Sequence, residues 1–134
     1  MTYWSNPASG FFVAARVWAS ADVVHGVTKS MIVDYAAYKD AVPGVDGFEL
    51  SRQNFAWVLP LHAGAVRAVK EAGAWKAEHE AHQQAMLKRQ ATLSGAWNAY
   101  LKTNPPQDAE AFRKGWMAAR ADALKKAGMD VIFE

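Results

Sequence analysis

Apolar residues recur at helical spacing through most of the chain. Between residues 21 and 41, Val24, Val27, Met31, Tyr35 and Tyr38 step by three or four and lay one stripe along a helix. Ser20 stands where a helix wants a side-chain oxygen at its N-cap. Asp22 lies in the first turn, where negative charge suits the helix dipole. Pro43-Gly44 ends this segment. A second helix is expected over 63–72, with Gly73 as its left-handed stop. A third runs over 74–102 and puts Trp75, His79, His82, Met86, Leu93, Trp97 and Tyr100 near one face. A helix of that length needs packing along most of it, because propensity alone stabilises it little. Asn104-Pro105-Pro106 breaks the pattern, and Asp108 or Asn104 caps a last helix over 106–127. Phe112, Trp116, Ala119 and Ala123 make its inner stripe. Gly128 fits C′ and Met129 fits C″, opposite Leu124, which is the pattern of a Schellman stop.

Two stretches depart from helical spacing. Residues 11–18 are short, aromatic and β-branched, with apolar side chains on both alternating faces, as in a strand covered on two sides. Residues 55–59 form an apolar run that ends at Pro60, which lacks an N–H and biases Leu59 to an extended conformation. That run is a strand or strap hinged onto the helix at 63. Residues 1–10 are turn-rich, 44–53 form a loop, and 131–133 are a short strand or a hook. The expected fold class is therefore mainly α with a minor β component: four main helices and one or two short strands, in a single domain over 1–134.

Composition adds limits. With 134 residues and 51% hydrophobic content, the chain can bury a real core. A net charge of +2 spread from Arg16 to Lys126 leaves no basic stripe, so nucleic acid is not an expected partner. There is no cysteine, which excludes disulfides and thiol chemistry. No run approaches the ~20 apolar residues of a membrane span, so no direct membrane insertion is expected. The first residues lack a positive n-region, which predicts an unexported chain or a mature or excised piece.

Candidate chemistry is sparse. Arg16 interrupts an apolar strand, where arginine is paired or faces a partner, and its fork suits a carboxylate. Trp4, beside Tyr3, either lines a cleft or packs. His62 sits at a helix entry and either bonds the first turn or faces a ligand. His79-Glu80-Ala81-His82 places two rings on one side of a helix, but at a spacing of three rather than the four of the zinc signature, and with no third ligand nearby. No nucleophile–base pair or carboxylate dyad stands out. Arg16, Trp4 and His62 are the ligand-binding candidates; no catalytic residue, metal site or cofactor is expected.

Pro60-Leu61-His62-Ala63-Gly64-Ala65 resembles the Pro-Leu-His-Pro-Gly-Ala motif near the C-terminal end of the TAXI family of TRAP-transporter solute receptors. Asp22-Val23-Val24-His25-Gly26-Val27-Thr28-Lys29-Ser30-Met31 is similar to that family's Val-Tyr-Ala-Leu-Thr-Lys-Ala-Leu helix, with Thr28-Lys29 matching. The resemblance spans about residues 10–100 and leaves 104–134 as a helical extension. Ala63 stands in place of the family proline, and His25 in place of an aromatic. The family's glycine-rich N-terminal portion, one wall of its ligand cleft, has no counterpart here. The resemblance implies the C-terminal part of a periplasmic-binding-protein-like α/β fold, a periplasmic location and a small organic-anion ligand.

Two readings follow. One is a solute-binding component or half-receptor completed by a separate N-terminal portion. The other is a non-catalytic accessory or structural subunit of a larger, possibly enzymatic, complex. Both expect self-association or a partner protein, because a lone strand over 11–18 leaves its backbone groups unpaired.

Overall fold

Helix boundaries follow from where backbone groups find partners. The computed structural model describes residues 2–5, 12–15 and 18–132, the first two stretches by their backbone alone. The chain is mainly helical. Its elements in order are β1 (Thr2–Ser5), β2 (Phe12–Ala15), α1 (Ala21–Val33), α2 (Tyr35–Tyr38), α3 (Ala63–Glu71), α4 (Ala77–Leu101) and α5 (Ala109–Lys126). They divide into two compact units, Met1–Gln84 and Ala85–Glu134. No described helix is long and apolar enough to cross a membrane.

In the first unit β1 and β2 run antiparallel, with Thr2 opposite Ala15 and Ser5 opposite Phe12. This ladder corrects the expectation of a lone strand, since Phe12–Ala15 has a partner within the chain. Trp18 lies past the strand, in a turn. The expected helix over 21–41 is broken at Asp34, which caps α1 at φ −88° and ψ 7°. The Asp34 side chain makes no capping bond to α2. The Tyr38 hydroxyl reaches back and donates to the Met31 carbonyl at 2.6 Å, which satisfies an acceptor at the end of α1. Ser20 holds the N-cap position, but its side chain makes no capping bond.

α1 and α3 lie side by side and point the same way. Ala21 and His25 approach Gly64, Arg67 pairs with Asp22 at 2.8 Å, and Glu71 meets both His25 and Lys29. The face of α1 that meets α3 contains Thr28, which is buried, its hydroxyl donating to the Val24 carbonyl at 2.8 Å. The expected stripe placed Val27 inward, yet it is 48% exposed, as the face turned toward α3 is shifted around the helix.

The core of this unit is Phe55, Leu61, Ala65 and Val69, with Val24, Met31, Ile32, Phe48, Leu50, Val66, Ala74 and Trp75 packed around them. Val69 is fully buried, which contributes about 2 kcal/mol through removal of its side chain from water. α3 ends in a Schellman motif: Gly73 at φ +73° donates to Lys70, and Ala74 donates to Val69. Residues 55–59 form no strand; with 53–62 they make an irregular strap, preceded by two short 3-10 turns at Val45–Phe48 and Leu50–Arg52.

In the second unit α4 ends at Leu101, and Asn104 beyond it takes φ +52°. Asp108 provides the cap of α5, its carboxylate accepting from Ala111 N–H at 2.8 Å. Trp97, Tyr100, Phe112 and Trp116 pack ring edge to ring face or tilted, with centroids 4.9 to 6.0 Å apart. The Tyr100 hydroxyl donates to the Phe112 carbonyl at 2.9 Å. α5 closes as expected, with Met129 N–H bonded to the Leu124 carbonyl at 2.9 Å and Gly128 at φ +67°. Val131 and Ile132 belong to no regular element, and Phe133 is outside the described residues.

Candidate functional site

The densest polar construction in the first unit surrounds the junction at Leu61-His62. The N–H of Leu61 donates to the Gln83 side-chain oxygen at 2.9 Å, and the Gln83 amide nitrogen donates to the Leu61 carbonyl at 2.7 Å. One primary amide thus completes both hydrogen bonds of a buried backbone residue, as a neighbouring strand would. Gln83 is 5% exposed and is the buried side chain of α4. The expected inner stripe passed it over in favour of His79, His82 and Met86.

His62 is buried as well, and is the N-cap of α3. Its Nδ1 accepts from Gly64 N–H at 3.2 Å. The ring thus makes the bond to the first turn that the sequence offered as one of its two roles. His79 works the same way one helix later. Lys76 N–H donates to His79 Nδ1 at 3.1 Å, while the Lys76 carbonyl accepts the first bond of α4 from Glu80. This is the reciprocal half of a capping box, with an imidazole in place of the usual glutamate. It explains why α4 starts at Ala77 rather than at 74. The His79 ring also packs against Phe55 and Trp75, with centroids 5.1 and 5.5 Å away.

His82 turns its Nε2 to the Trp57 carbonyl at 2.6 Å and so pins the strap. His25 turns its Nε2 to Glu71 at 2.9 Å. The two histidines that resembled half of a metal site are thus spent on two different backbone groups. Among the described residues no three His, Cys, Asp or Glu side chains converge on one point.

Two carboxylates are held in the charged form. Glu80 is driven down to about 2 by hydrogen bonds from Gln84, Lys70 and the Trp75 indole. Glu71 is lowered by bonds from Lys29 and His25. Glu71 and Lys29 border a recess of about 130 Å³ with Ile32, Val33, Ala68 and Ala72, where they pair with each other at 3.0 Å. Arg16 lies outside the described residues. Trp4 is paired with Val13 in the β1–β2 ladder, and its side chain is outside what is described.

The Glu80 network has a measurable acid signature. A carboxyl with a depressed folded-state pKa adds stability above its unfolded value and loses it as pH falls toward its folded value. The Glu80 contribution is therefore complete above about 4.5 and drains away down to about 2. Urea midpoints measured at pH 7 and pH 3 should fall less in Glu80→Gln than in the parent chain. An equal fall in both would contradict this assignment.

Comparison with protein-family models, curated proteins and solved structures finds no match to this chain.

Proposed function

We propose that this chain is a non-catalytic interaction subunit that docks on another polypeptide. The supporting observation is the outward face of α1. Val23 is 64% exposed and Val27, one turn later, 48% exposed, while the opposite face of the same helix is committed to α3. Large apolar side chains grouped on one exposed helix face characterise surfaces that bind protein. The polar groups with chemical potential, His25, His62, His79, His82 and Gln83, are engaged in holding helices and the strap. The chain recovered from its source by an affinity tag should bring one stoichiometric protein. Val23→Lys with Val27→Lys should release that protein and leave the circular dichroism unchanged. Recovery of the parent chain alone, as a monomer by light scattering, would refute the proposal.

The Pro60 to Ala65 motif supports a second reading, a periplasmic half-receptor of the TAXI type for a small organic anion, with a periplasmic-binding-like α/β fold completed by another portion. Arg16 would hold the carboxylate. Thermal shift of the chain against a panel of carboxylates, repeated with Arg16→Ala, separates the readings: a shift that the variant abolishes favours the receptor.

A further inference from the structure

His62 and His79 use the same ring atom for the same purpose. Nδ1 of each accepts a backbone N–H at a helix entrance, from Gly64 at 3.2 Å and from Lys76 at 3.1 Å. A nitrogen that accepts carries no proton, whereas a doubly protonated imidazole is a donor at both nitrogens. Protonation would therefore set donor against donor at both entrances. His82 and His25 are placed the other way. Each directs Nε2 to an oxygen, the Trp57 carbonyl and the Glu71 carboxylate, and a protonated ring keeps those bonds.

We propose that His62 and His79 form a proton-sensitive latch: mild acid opens the first turns of α3 and α4, while the α1–α3 pairing through Glu71 stays closed. Histidine is the side chain that ordinarily changes charge between pH 5 and 8.

The surrounding charges fit this division. Near His62, α1 presents Asp22 and His25, which are paired with Arg67 and Glu71 of α3. α4 presents neutral Gln83 to Leu61, and His82 to Trp57. The 3-10 turns pack Phe48 and Leu50 on the core that holds Leu61; their charged residues are Asp46 and Arg52, bonded to each other, and Glu49. Around His79, Glu78 lies 3.7 Å from Nε2 and also 3.7 Å from the Lys76 ammonium. Glu80 beside it is bonded to Lys70 of α3 and to Trp75. His62 is 9% exposed, among the described residues no carboxylate is bonded to it, and a charged ring cannot accept from Gly64.

The test is amide hydrogen exchange on the whole chain at pH 7.5 and 5.5, corrected for the intrinsic pH dependence of exchange. Protection at Gly64 and Lys76 should fall about tenfold at the lower pH, the equivalent of one lost cap each. Protection at Ala72, beside Glu71, should hold. In His62→Asn with His79→Gln, side chains that still accept but do not titrate, the pH dependence at Gly64 and Lys76 should vanish. Unchanged protection in the parent chain overturns the proposal without recourse to any variant. So does an equal loss in the double variant.

Discussion

Gln83→Met should lower unfolding stability by about 3 kcal/mol, because it strands two buried backbone groups at once. Methionine nearly matches glutamine in volume, so the change removes hydrogen bonds and leaves little cavity. The N–H and C=O of Leu61, now bonded at 2.9 and 2.7 Å, would lose both partners in a site where water does not replace them. The cost of an unmade bond falls on the group left behind and exceeds the net gain of making it. Urea denaturation followed by circular dichroism measures the loss, together with a fall in melting temperature on the order of 10 °C. A loss under about 1 kcal/mol would mean that the strap shifts to find other partners.

Gly64→Ala is expected to be about as severe, for a steric reason. A Cβ at position 64 would stand 2.3 Å from the Ala21 carbonyl oxygen, 2.7 Å from the His25 nitrogen and 3.0 Å from the Val24 Cβ. The two nearest atoms are backbone and cannot swing aside. α1 and α3 must separate, which strains the Asp22–Arg67 and His25–Glu71 bonds that join them. Overpacking of this kind costs about 3 kcal/mol. Gly26→Ala is the control. Nothing lies within 4 Å of a Cβ at position 26, inside α1. There the exchange should stabilise by about 0.5–1 kcal/mol through backbone entropy. Opposite signs in two urea titrations would establish the close approach of α1 and α3. Equal effects at the two glycines would contradict it.

Local signals and tertiary contacts in this chain divide along a physical line. Gly73 and Gly128 end α3 and α5 with the bonds their positions predict, and Asp108 rather than Asn104 caps α5. Each device needs only residues within one turn of it, so the sequence by itself determined them, along with the mainly helical class. At Asp34 the local pattern misled. The apolar stripe continued through it, and the break is held by a hydroxyl from Tyr38 that periodicity does not register.

The interior of the first unit was decided by tertiary structure. Val27 belonged to the stripe by spacing, yet α3 packs on the neighbouring face and buries Thr28. Glutamine on a helix is ordinarily solvated, and Gln83 carries no sign of its role. It becomes a core residue because the strap, 22 residues earlier, presents it with a complete peptide group. His62 left its two roles open in sequence, and its bond to the first turn of α3 comes with burial that only the fold supplies. The pairing of β2 with β1 belongs to the same class, since Thr2–Ser5 looked like part of a turn-rich lead. Local hydrogen bonding is settled by residues near one another in the chain. Burial of a polar group is settled by what the fold brings to meet it, which sequence spacing does not specify.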